Sequence, residues 1–475
     1  METTRTQVVV IGSGPGGYVA AIRLGQLGKQ VICVERESPG GVCLNVGCIP
    51  SKALITAAKT FDKIRHAETM GVIVDGGVRV DLPRLQAWKG SVVDKLTSGV
   101  RQLLKGAGAQ LLLGEARLVS PTLVEVRSRD GGRLIECEQV VIATGSRPLV
   151  IPGFTVDHDK ILDSTSALAL AQLPARLLVV GGGYIGLELG IMFAKLGSKV
   201  TVVEFTEQLL PGNDPEIVQV VARKMKKLGM EVHLQSKAKG YRESGGALQV
   251  FVETPKGELE IPADKVLVTV GRRPNSDTVG LENVGVKLDG RGYIVVDKQL
   301  RTNIPNLYAI GDVTGGMMLA HKASKEADVV AEVITGHPAE IDSNVIPAVI
   351  FTDPEIGTVG LSQPEAEKQG RKVKVGKFPF AALGRALAMN ETDGFVKVIG
   401  DAETDELLGI AAVGPEASNI ISEGALALEM GAFLPDLALT VHPHPTLGEI
   451  LMEAAQAALG ECPHLVGGGQ KKGSL

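Results

Sequence analysis

The length, composition and charge of the chain exclude several kinds of protein. At 475 residues it is long enough for roughly two to four domains, and its apolar and charged fractions, 44% and 22%, are those of an ordinary globular protein. The net charge of −5, without any concentrated basic segment, argues against nucleic acid or an anionic membrane surface as a partner.

The cysteines and the apolar segments indicate a cellular location. Five cysteines are an odd number and sparse for this length, which argues against a secreted disulfide scaffold; Cys33 and Cys137, in strand-like segments, are expected to be inert. The chain begins METTRTQVVVIG and enters a strand pattern without the apolar core of a signal peptide, so we expect a cytoplasmic protein. A nearly apolar window over 177–194 contains three consecutive glycines and Glu188, which argues against a membrane span.

Two segments of the chain repeat one pattern. QVVVIGSGPGGYVAAIRLGQLGKQVICVE spans 7–35, and RLLVVGGGYIGLELGIMFAKLGSKVTVVE spans 176–204; the two align without a gap. Each predicts a buried strand, a glycine turn, a helix that ends near Leu-Gly, and a second buried strand that ends in Glu. The repeat therefore predicts two βαβ units.

The glycines of each unit have the spacing of a dinucleotide-binding fingerprint. In such a turn the first glycine permits a tight bend, the second lets the backbone approach a pyrophosphate, and the third brings helix and strand together. The free N–H groups of the helix N-terminus then face the phosphates. Glu35 and Glu204 can accept hydrogen bonds from the hydroxyls of an adenosine ribose. Two dinucleotide sites are expected, and because Phe-Thr-Glu with no Arg follows Glu204, the second favours NAD over NADP.

Between the two units lies GGVCLNVGCIPSK, residues 40–52, with cysteines at 43 and 48. A regular helix separates residues at this spacing by roughly 8–9 Å, whereas a disulfide needs Cα atoms within about 7 Å. A bridge could form where a loop enters a helix, and Pro50 suits a first helical turn. A disulfide that closes so short a loop would stabilise the fold only slightly, because it removes little entropy from the unfolded chain. A thiol at a helix N-terminus has a lowered pKa. Both arguments favour a redox-active pair over metal ligands or two unrelated buried thiols, since no His or further Cys lies nearby.

Further elements follow in chain order. VVIATGSRP (140–148) and VLVTVGRRPN (266–275) each predict a strand that leaves a domain through a glycine turn. NLYAIGDVTG (306–315) predicts a strand ending in Gly-Asp, where Asp312 either hydrogen-bonds a polyol or caps a helix. From about Ile346 short strands mixed with helices predict a third, α+β domain.

These motifs occur together in one order. GGVCLNVGCIPSK, the two fingerprints, ATG at 143–145, GD at 311–312 and HPHPTLGE at 442–449 make the chain resemble the flavoprotein disulfide reductase family from about residue 7 to 460. The resemblance implies an α/β fold with two Rossmann-like domains, for FAD and NAD, plus a C-terminal α+β dimerisation domain. The implied boundaries are 1–148 and 273–345 for the FAD domain, 149–272 for the NAD domain, and 346–475 for the interface domain, with a mobile tail from about 461.

The resemblance also implies which residues contact the cofactors. Those expected to hold FAD are Gly12, Gly14, Gly17, Glu35, Lys52, Ala116, Asp312 and Ala320. Those expected to hold NAD are Gly181, Gly183, Gly186, Glu188, Glu204 and Gly271. Glu188 resembles the family carboxylate that lies near both the nicotinamide and Lys52, and no metal site is expected.

By the same resemblance, Cys43 is the thiol that meets substrate and Cys48 is the thiolate that faces the flavin. His444 and Glu449 match the family's catalytic pair, which reaches the disulfide of the other subunit. Imidazole has a suitable pKa for removing a thiol proton near neutrality, and a carboxylate on its far nitrogen would fix the tautomer. The His444–Pro445 bond is a candidate cis peptide, and His442 is expected to be structural.

The implied activity is oxidation of the dihydrolipoyl group of a lipoylated carrier by a homodimer, with NAD⁺ as final acceptor. The carrier would be the E2 subunit of a 2-oxoacid dehydrogenase complex or the glycine cleavage H protein. A glutathione reductase-like activity is disfavoured by the lack of Arg after Glu204, and a mercuric reductase-like one by a C-terminal segment with only Cys462. A non-catalytic flavin-binding subunit or a redox-sensing protein would not need the intact catalytic residues.

Overall fold

A computed structural model of the chain describes residues 2–129, 131–342 and 345–466. The strands of these residues form five β-sheets. They are β1 (Glu2–Ile11), β2 (Val31–Glu35), β3 (Gln110–Leu113), β4 (Glu115–Ser120), β5 (Leu123–Ser128), β6 (Gly131–Ile142), β7 (Ser146–Pro148), β8 (Ile161–Leu162), β9 (Arg176–Val180), β10 (Lys199–Val203), β11 (Glu231–His233), β12 (Lys237–Ser244), β13 (Ala247–Thr254), β14 (Gly257–Ala263), β15 (Lys265–Val268), β16 (Arg272–Pro274), β17 (Leu307–Ala309), β18 (Ala348–Ile350), β19 (Glu355–Gly360), β20 (Val373–Pro379), β21 (Phe395–Asp401) and β22 (Leu407–Gly414). The helices are α1 (Pro15–Gln26), α2 (Gly41–Val46), α3 (Cys48–Arg65), α4 (Leu82–Gly106), α5 (Ser164–Leu168), α6 (Tyr184–Leu196), α7 (Pro215–Lys227), α8 (Ala320–Ile334), α9 (Gln363–Lys368), α10 (Gly384–Ala388), α11 (Ala417–Glu429), α12 (Leu434–Leu439) and α13 (Glu449–Leu459).

The first predicted unit builds the centre of the N-terminal sheet. Its strand order is β3-β2-β1-β6-β5-β4, and β17 pairs with β6. β1 pairs in parallel with β2 and with β6, and α1 connects β1 to β2. β2 is buried along its whole length, as expected for a parallel strand covered on both faces.

The second predicted unit builds a separate parallel sheet with the order β11-β10-β9-β15-β8. The apolar window over 177–194 is therefore strand β9 followed by helix α6, rather than one long helix. Almost every side chain of α6 is buried, because the helix lies between this sheet, α3 and the C-terminal sheet. An apolar surface on all sides is what such a central helix requires.

The remaining sheets complete the predicted architecture. β12, β13 and β14 form an antiparallel meander, and β7 pairs with β16, so the two segments predicted to leave their domains pair with each other. The C-terminal sheet, in the order β18-β19-β22-β21-β20, is antiparallel and packs against α11 and α13. The fold class is confirmed, whereas the exact domain boundaries stay a proposal.

Two helices position the central site. α3 and α6 pack together, and both run in the same direction, because Lys52 contacts Glu188 near their first turns while Asp62 approaches Lys195 near their last. The run Gly41–Arg65, which includes α3, is long and apolar enough to cross a membrane by length and composition alone. Core helices of globular proteins meet the same criterion, and Gly47 interrupts this run.

Candidate active site

The two glycine turns have matching backbone geometry. Gly12 has φ +99° and Gly181 has φ +104°, and a Cβ at either would lie 2.4 Å or 2.6 Å from the carbonyl oxygen of Ala143 or Thr269. These positions require glycine, because a side chain would be both strained and in collision. The third glycines, Gly17 and Gly186, pack against the carbonyl oxygens of the first ones.

The second glycine of each turn shows the space that a dinucleotide needs. A Cβ added to Gly14 or Gly183 would meet no atom within 4 Å, and each residue precedes the first residue of its helix without a capping side chain. An open space beside an uncapped helix N-terminus is a binding position for phosphate. Both turns therefore fit a pyrophosphate.

The two predicted ribose carboxylates are held in equivalent ways. Glu35 accepts hydrogen bonds from the Ser13 amide at 2.8 Å and from the Glu37 amide at 2.8 Å. Glu204 accepts from the Gly182 amide at 2.5 Å and from the Thr206 amide at 2.7 Å. Both carboxylates are buried and are fixed where a ribose at the strand end would lie.

The cysteine pair spans a break between two helices. α2 ends at Val46 and α3 begins at Cys48, because Gly47 adopts φ −133° and ψ −113°. Pro50 lies buried in the first turn of α3, as the sequence predicts. Both thiols are free in this structure, Cys43 half-buried and Cys48 exposed, and they lie close enough for each to shift the pKa of the other. The break thus allows the proximity that a regular helix forbids.

The surroundings shift the pKa values of the two cysteines in opposite directions. A hydrogen bond from Cys43 lowers the pKa of Cys48 to about 7. Loss of water around the sulfur and the charge of Glu188 act in the opposite direction, and the charge of Lys52 adds to the lowering. The same hydrogen bond, together with burial, raises the pKa of Cys43 far above its usual value. Cys48 is also the first residue of α3, where the helix dipole favours an anion. These effects favour the anion at residue 48 over residue 43.

Lys52 and Glu188 form an ion pair beside the cysteines. Lys52 Nζ lies 2.7 Å from Glu188 Oε2 and 4.6 Å from the centre of the Phe351 ring. The Phe351 amide donates to the other carboxylate oxygen of Glu188 at 2.8 Å. The carboxylate is buried and saturated on both oxygens, which fixes the ammonium group near Cys48.

We expect Lys52→Met to raise the pKa of Cys48 by about one unit, because the variant removes a nearby positive charge. Glu188→Gln should lower it, because the neutral amide leaves the charge of Lys52 uncompensated. The measurement is the rate of iodoacetamide alkylation of Cys48 against pH in the reduced protein, with fragment mass spectrometry to separate residues 43 and 48. Shifts of the same sign in both variants would contradict this electrostatic account.

The predicted base and its carboxylate are adjacent in the structure. His444 Nδ1 lies 2.8 Å from Glu449 Oε1, and the Thr446 amide donates to Glu449 Oε2 at 2.7 Å. Burial tends to raise the pKa of Glu449, but these two hydrogen bonds and the nearby imidazoles lower it overall. The His444–Pro445 peptide is cis, as predicted. The imidazole is 77% exposed, so its Nε2 edge is available to another group.

Within one chain the base does not reach the cysteines. Among the described residues, no hydrogen bond joins His444 to Cys43 or Cys48. Leu439 and Val441, which precede His444 closely in the sequence, are exposed apolar side chains. A second chain covering this surface would account for both observations.

The four other residues predicted to contact a cofactor lie in different elements of the fold. Asp312 does not cap α8, whose N-cap is Leu319; its carboxylate instead accepts from the Ser146 hydroxyl at 2.5 Å. Ala320 is the first residue of α8, again without a capping side chain. Ala116 is buried in β4. Gly271, at φ +123° in open space, precedes β16.

Sequence reasoning missed several residues of this region. Arg272 donates to the Ser146 hydroxyl and carbonyl, both at 2.7 Å, and so supports the partner of Asp312. Tyr184 opens α6, and burial raises its pKa. Phe351 contributes through its backbone amide, for which a sequence carries no signal. Arg272 lies directly after Gly271, and of these two residues the sequence analysis assigns a role in cofactor binding only to the glycine.

His442 and the three other cysteines have environments that favour structural roles. His442 contacts Glu423 at 2.8 Å and is almost completely buried, in agreement with a structural role. Burial raises the pKa of Cys137 to about 12, and it also raises that of Cys33. Cys462 donates to Glu453 at 3.1 Å. Of the tail predicted to be mobile, residues 467–475 lie outside the described part of the chain.

Comparison with known proteins agrees with this geometry. The model of the pyridine nucleotide-disulphide oxidoreductase family matches residues 6–327, and that of the family's dimerisation domain matches 346–455. The chain belongs to the pyridine nucleotide-disulphide oxidoreductases. FAD and NAD are the cofactors of this family, and the two glycine turns fit them. The dimerisation domain supports a homodimer.

Curated relatives and solved structures resemble the chain over almost its whole length. Dihydrolipoyl dehydrogenases from Geobacillus stearothermophilus and Staphylococcus aureus are 48% and 50% identical to it, over 97% and 96% of this chain and 98% and 97% of theirs. The structure of LpdA from Mycobacterium tuberculosis, 28% identical, superposes with a TM-score of 0.88 over 95% of this chain and 99% of that chain. The flavoprotein disulfide reductase RclA from Escherichia coli, 29% identical, gives 0.84 with the same coverage.

Proposed function

We propose that this chain is a dihydrolipoyl dehydrogenase, which oxidises a dihydrolipoyl dithiol and reduces NAD⁺. The observation that carries the proposal is the thiol pair at the start of α3, with a thiolate at Cys48 beside the Lys52–Glu188 ion pair. The dihydrolipoyl dehydrogenases at 48% and 50% identity support the choice of substrate within the family. The direct test is NADH formation by the yellow holoenzyme from dihydrolipoamide and NAD⁺; a yellow protein inert to this dithiol would refute it.

The first half of the reaction is disulfide exchange. His444 of the partner subunit removes a proton from one substrate thiol, and the resulting thiolate attacks Cys43 Sγ of the oxidised pair. The bond between residues 43 and 48 breaks, and Cys48 leaves as a thiolate. The second substrate thiol then displaces Cys43 from the mixed disulfide, so that the substrate becomes a cyclic disulfide and the enzyme pair becomes a dithiol.

The environment of Cys48 explains the direction of this exchange. A thiol with a pKa near 7 is a good leaving group at neutral pH, whereas Cys43, with its raised pKa, holds a proton. Bound FAD supplies the chemistry that accepts the electron pair from the dithiol and transfers hydride to NAD⁺. Gly12, Gly14 and Glu35 would hold FAD, and Gly181, Gly183 and Glu204 would hold NAD.

The second site should discriminate strongly against NADP⁺. A 2′-phosphate would meet the buried carboxylate of Glu204, which forms no ion pair within the described part of the chain. We therefore expect kcat/KM for NAD⁺ to exceed that for NADP⁺ by about a hundredfold or more. Glu204→Gln should narrow the ratio by about tenfold, because it removes the like charge. Glu207→Gln is the matched control, since Glu207 is exposed and only three residues away. An equal change of the NAD⁺/NADP⁺ ratio in both variants would mean that Glu204 does not contact the ribose.

The natural partner is proposed to be a lipoylated carrier, either an E2 subunit or the glycine cleavage H protein, and the location is proposed to be the cytoplasm. The carrier follows from the activity, because such carriers present the dithiol on a flexible arm. Steady-state assays with each purified lipoylated carrier test the assignment. The true partner should be oxidised with a far higher kcat/KM than free dihydrolipoamide, and equal values for all carriers and the free dithiol would contradict a dedicated carrier.

A further inference from the structure

A second buried charge cluster lies behind the Lys52–Glu188 pair. Lys195 of α6 has a side chain only 4% exposed, and its Nζ lies 2.5 Å from Asp353 Oδ2 and 3.8 Å from Asp62 Oδ2. Lys224 of α7 approaches Asp353 at 3.5 Å. Such a cluster is costly to bury. In the described part of the chain, the charged contacts of these residues do not involve the cysteines, so the proposed reaction does not use the cluster directly.

The cluster repeats the connections of the catalytic ion pair at the other end of the same helices. Glu188 and Lys195 both project from α6, and Lys52 and Asp62 both project from α3. Glu188 is bound by the Phe351 amide, and Lys195 by Asp353 two residues further along. At each end, polar contacts therefore connect α3, α6 and the segment after β18.

Two polar contacts, one near each end of the helices, fix the position of α3 along α6. A single ion pair allows α3 to slide or rotate against α6, because the long side chain of Lys52 can follow Glu188. A second contact, about two turns further along α6, removes this freedom. The apolar packing of α3 on α6, through residues such as Leu54 and Ala58, does not define register as sharply, because apolar contacts have no direction.

We propose that Lys195, through its buried contacts with Asp62 and Asp353, is a positioning residue that holds the Lys52–Glu188 pair beside Cys48. The inference rests on the proposed redox role of Cys48 and adds to it a residue remote from the sulfur. Lys195 itself lies roughly two helical turns beyond Glu188, so its own charge acts only weakly on the thiol.

The charged groups around both ends determine the expected sign. Lys195 faces Asp62 and Lys59 of α3, Lys224 of α7, and Asp353. The groups that face Cys48 are Cys43, Lys52, Glu188 and Tyr184. Lys52 lowers the pKa of Cys48 more than Glu188 raises it. Displacement of that pair as a unit should therefore raise the pKa.

The test compares Lys195→Met with Lys195→Arg in the reduced holoenzyme. The rate of iodoacetamide alkylation of Cys48 is followed between about pH 5 and 9. We expect its midpoint to rise by about half a pH unit or more in the methionine variant, and to return toward the wild-type value in the arginine variant. This readout needs no turnover, so it stays decisive even if dihydrolipoamide proves not to be the substrate.

A matched control separates positioning from general destabilisation. Lys397 is as deeply buried, with a side chain 6% exposed, and pairs with Asp214 at 2.6 Å away from α3. Lys397→Met should lower thermal stability without moving the alkylation midpoint. If Lys195→Met does not fold, Asp62→Asn removes the charge on α3 that faces Lys195 and leaves the contact with Asp353 in place; it should give the same upward shift. Because Asp62 also contacts His66, His66→Gln is measured beside it and should not move the midpoint. An unchanged midpoint in the folded Lys195 or Asp62 variant would overturn the proposal.

Discussion

Replacing Cys48 by serine is expected to reduce dithiol-dependent NADH formation by at least about a thousandfold, while FAD stays bound. A serine hydroxyl can neither form a disulfide with Cys43 nor leave as an anion near neutral pH. The residues that would cradle FAD are elsewhere, at the glycine turn and Glu35, so the yellow colour should persist. Activity is measured with dihydrolipoamide and NAD⁺, and bound flavin by visible absorbance of the purified variant.

The control for this variant is Cys137→Ser. Cys137 is buried in β6 with its pKa raised to about 12 by burial, so it is not poised to react, and its replacement should leave activity near that of the wild type. Full dithiol activity in Cys48→Ser would remove the redox pair from the mechanism. Loss of flavin together with activity would instead mean that residue 48 supports the fold of the cofactor site.

Replacing His444 by glutamine is expected to slow the dithiol reaction by about 10²- to 10⁴-fold, the usual contribution of a positioned base. His442→Gln is its control, because that imidazole also contacts a carboxylate but is buried; it should lower thermal stability more than the rate. Retention of the dithiol rate by His444→Gln would exclude this residue as the base.

A mixed dimer tests whether the base acts across the subunit interface. Cys48→Ser and His444→Gln homodimers should each be nearly inactive. After mixing and subunit exchange in equal amounts, half of the dimers carry one site with both residues intact, so about a quarter of the wild-type activity should return. If His444 served the cysteines of its own chain, no mixed dimer would contain an intact site, and no activity would be regained.

Local sequence rules predicted the elements that carry the chemistry. The glycine spacing at Gly12 and Gly181 dictates a turn that only glycine can adopt, so both βαβ units could be recognised. The start of α3 at Cys48 follows from Gly47 and Pro50 within the same short segment. The contact of His444 with Glu449 was implied by the resemblance to a family rather than by a local rule, although it joins residues only five apart.

Contacts between distant segments could not be predicted in this way. Lys52 and Glu188 are 136 positions apart, and the resemblance to a family, rather than any physical rule, suggested that they meet. For Asp312 the alternative role of a helix cap was wrong, because the chain leaves β17 in a 3-10 turn and Ser146 donates to the carboxylate. The contacts of Lys195 could not be predicted either, because the sequence of an apolar helix does not show which distant residues a lysine within it will contact.

By itself the sequence determined which pieces this protein contains: two nucleotide-binding turns, a thiol pair at a helix start and a histidine–carboxylate pair. Each depends on backbone conformations set by neighbouring residues. Only the tertiary structure decided how they cooperate, because the packing of α3 on α6 brings Lys52 to Glu188 and gives Cys48 its low pKa. Electrostatic effects depend on distances and burial in three dimensions, and these arise when separate segments pack together.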